Sequence, residues 1–270
     1  MVRLISFLIG LGFIAAVSCA LFVSLTSLGG ESKETAQEAL YKHPHELELA
    51  SNGLFGKFNM QQVQRGFQMY QQVCSNCHSL THVAFRDLRK IGYSEAEVKK
   101  IASDWQLKAQ TLDAKTGDRG ERPNTPADKF PTVYYPGQGN PPDLSLITKA
   151  RHDGPAYVRS LLTGYRDMTA AEMKRFPEAK TPDGAYFNPY FPNLNIAMPP
   201  PLSEGAVTYA DGTKSTVDQN AQDVAAFLVW AAEPELAERH SIGLMVMGFL
   251  LVATALAYGA YRNIWRDMKH

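Results

Sequence analysis

The sequence predicts a mainly α-helical exported domain with long loops, joined to a C-terminal transmembrane helix and preceded by an N-terminal signal or anchor helix. Three observations predict it. Residues 4–28 and 242–261 contain no Asp, Glu, Lys or Arg. At about 1.5 Å per helical residue, each run is long enough to cross a hydrocarbon core of about 30 Å. Between them, apolar residues recur at spacings of three and four, while alternating strand patterns are weak and confined to a hairpin signal around Val207–Gly212.

Composition narrows the function classes. The chain has 270 residues, 45% of them hydrophobic, with 27 basic against 27 acidic side chains. A disordered tail would be less hydrophobic and a nucleic-acid binder more basic, so neither reading fits and no nucleic-acid partner is expected. Three cysteines are too few for a disulfide scaffold. Arg3 precedes the first apolar run, while Arg262, Arg266 and Lys269 follow the second, leaving 23 basic against 26 acidic groups between them. Basic residues beyond the second run place the tail in the cytoplasm and the middle outside it. Residues 1–18 also read as a removable leader with Ala16-Val17-Ser18 as its small-residue site, but the apolar run continues past it to Leu28.

The elements follow in order. Asn59 caps a helix with Gln62 three residues on, and Val63, Phe67, Tyr70, Cys74 and Cys77 form one apolar face that ends at the cysteines. Ser94 and Glu97 open a short amphipathic helix through Val98, Ile101 and Trp105. Residues 106–142 are polar and rich in Gly and Pro and read as a long loop with no core of its own. A helix is expected from His152 to Gly164. Residues 181–201, dense in Pro, Asn and aromatics, cannot form a regular helix because proline lacks the amide hydrogen and restricts its neighbour. Thr216, with Gln219 three residues on, caps a helix carrying Val224, Phe227, Leu228 and Trp230, which meets Pro234 and leads into the second span.

Chemistry concentrates in Cys74-Ser75-Asn76-Cys77-His78. Two thiols three residues apart on one turn can add to the two vinyl groups of a haem, which places the adjacent imidazole under the iron. A zinc knuckle would need a second ligand pair, and the exported part has no other cysteine. The iron then takes a sixth ligand or keeps an open site. Met60 and Met69 sit on the helix before the cysteines and read as core, and Met168 and Met173 lie in a charged stretch and read as surface. Met198 precedes Pro199-Pro200-Pro201 and follows the aromatic, proline-rich loop, where a thioether could be held against a haem face. Among the histidines, His82 is too near His78 to reach the opposite face, and His152 reads as an exposed residue at a helix start.

These residues carry a family resemblance. The sequence resembles cytochrome c1, the haem subunit of the cytochrome bc1 complex (quinol:cytochrome c reductase), of the alphaproteobacterial and mitochondrial kind. The matching stretches are Arg65-Gly66-Phe67-Gln68-Met69-Tyr70 running into the cysteine motif, then Pro141-Pro142-Asp143-Leu144-Ser145 with Ala150-Arg151-His152. They continue with Leu161-Leu162-Thr163-Gly164-Tyr165, the run from Tyr186 to Pro192, Met198-Pro199-Pro200, and Asp223 to Pro234 before the span.

The resemblance implies a class I-like cytochrome c core with one covalently bound haem c. Cys74 and Cys77 would be the thioether donors, and His78 and Met198 the axial ligands of the iron. Arg151 would meet a haem propionate, with a plain surface arginine as the alternative. Pro142, Leu144 and Tyr157 would line the haem pocket, though all three fit ordinary packing equally well. The implied organisation is a signal peptide or anchor at 1–28, a periplasmic haem domain at 29–240, an inner-membrane span at 241–262 and a cytoplasmic tail at 263–270. The implied role is to accept one electron from the Rieske iron-sulfur protein and pass it to cytochrome c, beside cytochrome b in a dimeric complex, making no substrate bonds itself. Two rivals stay open: an anchored haem c shuttle or oxidase subunit, and a gas-binding sensor with an open sixth site. The loop at 106–142 has no cysteine, so the disulfide of some bacterial relatives cannot form there.

Overall fold

A computed structural model describes residues 2–27, 34–137 and 139–268 and divides the chain into two compact units, residues 1–39 and 40–270. The first unit holds α1 (Val2–Ser27), with Arg3 as its one charged side chain. It is long and apolar enough to cross a membrane. Its last described stretch begins at Glu34, and the backbone N–H and hydroxyl of Thr35 both donate to the Glu38 carboxylate at the start of the short helix α2 (Ala36–Leu40).

The second unit is organised by two helices far apart in sequence, α3 (Met60–Met69) and α8 (Val217–Ala232). Both start where capping predicts: Asn59 accepts from the Gln62 N–H and Thr216 from the Gln219 N–H. The helices cross at Gly66. A Cβ there would stand 2.0 Å from the Asp223 carbonyl oxygen and 2.6 Å from the Phe227 Cβ, so only glycine lets the backbones approach this closely. Beside the crossing, Arg65 forks onto the fully buried Asp223 through Nε (2.7 Å) and Nη2 (3.1 Å), and reaches Asp211 with Nη1 at 2.7 Å. Gln219 adds a donor to the same carboxylate at 2.9 Å.

Around this crossing lies an aromatic core. Phe67 meets Phe227 and Tyr93 at centroid distances of 5.6 Å, and Phe130 stands 4.2 Å from Phe85 and 4.9 Å from Trp105. The 3₁₀ segment Phe85–Ile91 and α4 (Glu95–Asp104), opened by the Ser94–Glu97 capping box, close one side. The short α5 (Ile147–Ala150) and α6 (Gly154–Thr163) pack on α8, with the Thr148 hydroxyl donating to the Leu228 carbonyl. Helix α9 (Leu236–Trp265) begins two residues after Pro234 and is exposed along its apolar length.

Several expectations are corrected. The loop at 106–142 contains an antiparallel hairpin, β1 (Ala109–Leu112) with β2 (Arg119–Arg122), and it sends Phe130 into the main core. Its strands are polar and largely exposed, which hides them from an apolar alternation test. The hairpin expected around Val207–Gly212 is a turn. Val207 and Tyr209 are buried, but Thr208 O accepts from the Gln68 side chain and the Tyr209 hydroxyl donates to Asn220, so the segment pairs with helices rather than with a second strand. The helix expected from His152 starts at Gly154, after Asp153 at φ +60°. Met60 opens α3 and is 42% exposed, not core. Met168, read as surface, is buried: it precedes the N-cap Thr169 of α7 (Ala170–Arg175), a place where an apolar side chain fixes the approach to a helix.

α7 belongs to a strap that leads toward Met198. Arg166 makes a two-pronged pair with Glu172 (2.7 and 2.8 Å) and lies 4.7 Å over the Phe187 ring. Phe187 sits in β3 (Tyr186–Phe187), which pairs with β4 (Asn195–Ile196) two residues before Met198.

Two outcomes check this account. Gly66→Ala is expected to destabilise the domain by about 3 kcal/mol through overpacking at the crossing, read as a fall in melting temperature. The Arg166 hydrogen bonds hold the Glu172 carboxyl down to about 2, so the folded state binds fewer protons than the unfolded one. Its contribution is full above about 4.5 and is lost as pH falls toward 2; Glu172→Gln is expected to flatten that part of the acid-unfolding curve.

Candidate functional site

α3 does not run regularly into the cysteines. After Met69 it widens into a π turn over Tyr70–Cys74, in which the Ser75 N–H reaches back five residues to the Tyr70 carbonyl at 2.8 Å. Such turns are rare, and they interrupt a helix where a site needs a different side-chain direction. The Cys77 and His78 N–H groups then both donate to the Cys74 carbonyl, at 3.1 and 2.9 Å, closing the motif into a tight turn. The buried Tyr70 hydroxyl donates to the His78 carbonyl at 3.0 Å and pins the far end.

The His78 imidazole has one partner that decides its chemistry. Nδ1 lies 2.8 Å from the Pro142 carbonyl oxygen, which can only accept, so Nδ1 carries the proton and Nε2 keeps its lone pair. A metal-binding histidine is held in the same way, by a carbonyl on its other nitrogen. Burial lowers the His78 pKa against the opposing pull of Pro142 O and Asp143, which favours the neutral, ligating form.

Pro142 is brought to His78 by a ladder of hydrogen bonds spanning more than sixty residues. The Leu144 N–H donates to Ser79 O, the Thr81 N–H and hydroxyl donate to Asp143 Oδ2, and the His82 N–H donates to Ser145 Oγ. Asp143 Oδ1 also accepts from the Ser145 N–H, and Ser79 Oγ accepts from the Val133 N–H. Asp143, Ser145 and Tyr70 were not singled out for roles from the sequence. The signal available was an Asp followed two residues later by Ser in a turn, a pairing that forms local side-chain caps.

Cys74 and Cys77 are both half-buried. Burial pushes the Cys74 thiol up to about 12, and Cys77 adds to the rise. A Cys-x-x-Cys pair that works by thiol exchange needs an attacking thiol with a depressed pKa, a part for which Cys74 is ill-suited. Among the described residues, no three His, Cys, Asp or Glu side chains converge as a metal cluster.

The second group of expected residues lies around α6. Tyr157 is buried in α6, its hydroxyl pKa raised by burial and pulled back by Arg151 nearby. The Tyr165 hydroxyl, also raised by burial and then by Tyr157, donates to the Met198 carbonyl at 3.1 Å. Tyr165 thus ties the Met198 backbone to the neighbourhood of α6, where Arg151 and Tyr157 interact electrostatically. Met198 is half-buried, and Arg151 is exposed. The segments that carry Pro142 and Met198 approach each other at Gly139, three residues before Pro142, where a Cβ would stand 3.3 Å from that of Ala197, one residue before Met198. His82 and His152 are exposed, as expected.

Two thiols and a neutral imidazole with an available Nε2, on one tight turn at the edge of an aromatic core, make a donor set that fits a c-type haem. Met198 carries a half-buried thioether and Arg151 an exposed guanidinium, group types that can meet such a cofactor.

Residues 49–268 match the Cytochrome C1 family. The chain is 43% identical over 243 residues to a cytochrome c1 of Rhodospirillum rubrum, covering 84% of this chain and 89% of that one. It is 40% identical over 278 residues to a cytochrome b/c1 of Bradyrhizobium diazoefficiens, covering 94% of this chain and 40% of that longer protein. It is also 36% identical over 252 residues to a mitochondrial protein of Candida albicans named cytochrome b-c1 complex catalytic subunit, covering 90% of this chain and 84% of that one.

Asp143→Ala removes three charge-assisted hydrogen bonds that hold Pro142 beneath His78. It is expected to cost about 2 kcal/mol of stability. The loss is measured by denaturant unfolding, with the exchange rate of the His78 Nδ1 proton rising in NMR as the local readout.

Proposed function

The chain belongs to the cytochrome c1 family, and from that premise we propose that it is the haem-bearing, membrane-anchored subunit of a cytochrome bc1 complex. In this reading it takes one electron from the Rieske iron-sulfur protein and passes it to a cytochrome c, beside cytochrome b in a dimeric complex. Two relatives whose names join cytochromes b and c1 support cytochrome b as a partner.

One haem c, bound covalently, supplies a one-electron iron couple. Cys74 and Cys77 would hold it through thioether bonds, His78 Nε2 and the Met198 sulfur would ligate the iron, and Arg151 would pair with a propionate. The observation that carries this reading is the His78 Nδ1 contact with Pro142 O, because it fixes the tautomer whose Nε2 can ligate. A methionine ligand beside the histidine would favour the reduced iron and so a high potential, as suits an acceptor near the end of a quinol-oxidising chain. Tyr165, donating to the Met198 carbonyl, holds the loop that carries the Met198 sulfur. The haem domain faces the periplasm, α9 crosses the inner membrane, and the C-terminus is cytoplasmic, which the basic residues after the span support.

Purification from membranes in mild detergent tests the reading. The expected result is b-type haem and a Rieske signal in the same fraction, with no spectral change when carbon monoxide is added to the reduced sample. Met198→Leu is expected to make the reduced protein bind carbon monoxide and to lower its midpoint potential. A lone c-type haem that binds carbon monoxide in the unaltered protein would sink the reading in favour of a gas-binding module.

A further inference from the structure

Outside α1 and α9, Leu54 and Phe55 form the one adjacent pair of exposed large apolar side chains among the described residues, at 61% and 75% exposure. They stand at the tip of a closed loop. The Asn52 N–H donates to Leu49 O, the Gly56 N–H to Gly53 O, and the Lys57 N–H to Ala50 O, so the chain leaves the core and returns within eight residues. Gly53 turns the tip at φ +77°. Gly56 is buried, and a Cβ there would stand 2.2 Å from the Ser51 carbonyl oxygen, so the returning strand is pressed onto the outgoing one. A floppy loop would fold two bulky apolar groups back onto the protein; this one holds them outward.

The height of the loop is set by a second contact. The Gly56 carbonyl oxygen lies 3.3 Å from His240 Nδ1, on α9. Residues 241–261 carry no charged side chain, and at about 1.5 Å per residue they extend about 30 Å, the thickness of a hydrocarbon core. His240 therefore sits at the outer edge of that core, and the loop tied to it sits at the same level. Lys57, exposed beside the tip, supplies a cation where lipid phosphates lie.

We propose that Leu54 and Phe55 form a lipid-inserted knuckle that enters the membrane interface beside α9, giving the haem domain a second, laterally displaced foothold on the bilayer. The proposal rests on reading α9 as a membrane span. Leu54 and Phe55 enter the boundary between headgroups and acyl chains, and Lys57 meets the phosphates. A helix alone lets a head swivel and tilt; a fixed apolar foothold off the helix axis resists both.

The test uses the full chain, purified from membranes, reconstituted in phosphatidylcholine–phosphatidylglycerol nanodiscs. An NBD fluorophore is attached in turn to Leu54→Cys, Phe55→Cys, Phe249→Cys within the span and Tyr134→Cys on an exposed loop, each in a Cys19→Ser background. Quenching by iodide is compared with quenching by doxyl-labelled lipid. The expected result is that labels at positions 54 and 55 are quenched by the lipid and resist iodide several-fold better than the label at 134. Iodide quenching equal to that at position 134 would overturn the proposal, and so would resistance to both quenchers, which would mean that protein covers the loop. Lipid quenching at Phe249 with an aqueous pattern at 54 and 55 sinks the knuckle alone. An aqueous pattern at Phe249 sinks the span and the knuckle together.

Discussion

The backbone contact between α3 and α8 at Gly66 is the constraint from which the rest of the haem domain is built. α3 carries the cysteine motif at its end, and α8 runs into the membrane-spanning helix, so one crossing joins the chemical site to the anchor. Its closeness is why Phe67 and Phe227 can meet at 5.6 Å and why Asp223 is sealed from water. A buried carboxylate is costly unless paired, and here Arg65 and Gln219 satisfy it from both helices. That arrangement contributes more to register than to net stability, since sliding either helix by one turn would leave the Asp223 charge buried without its arginine.

Beyond the helices the domain is ordered by side chains that substitute for secondary structure. Asn188 is fully buried, donating to Leu161 O and accepting from the Tyr190 N–H, while its own N–H donates to Leu194 O. Asn188 thereby meets the backbone hydrogen-bonding demand of a proline-rich segment whose own ladder, β3 with β4, is only two residues long. Asp143 performs the same service for the turn beneath His78. This is how a site can rest largely on loops and still be fixed: side chains and backbone groups from distant segments hydrogen-bond across it.

Capping and periodicity made much of the helical frame legible. Asn59, Ser94 and Thr216 each cap the helix expected of them, because capping is a local interaction set by residues three apart. The π turn at Tyr70–Cys74 was not legible, since its periodicity differs from the α pattern by a single residue. Nor was the β1–β2 hairpin, whose polar strands carry no alternation, or the burial of Met168, whose charged neighbours masked its place before a helix cap. The site divides in the same way. The cysteine motif is contiguous and could be read directly. The Pro142 carbonyl is a backbone atom sixty-four residues from His78, and no pattern of side chains announces it.

The exit from the haem domain shows how weak interactions can set a direction. Glu233 pairs with Lys149 of α5 and Arg239 of α9, and Glu235 pairs with Lys90 of the 3₁₀ segment. Burial would raise the Glu233 carboxyl, but its two cations hold it below the ordinary value, so it stays charged at neutral pH. Exposed pairs of this kind contribute at most about 1 kcal/mol each. Their value here is geometric, because they come from three separate elements and converge on the five residues around Pro234, where the helix is broken and the chain would otherwise hinge. With Leu236 buried at the same place, the start of α9 is tied to the body of the domain rather than hanging from it. The Gly66 crossing and these pairs thus act in series: the first fixes the cysteine turn against α8, and the second fixes α8 against the helix that enters the membrane.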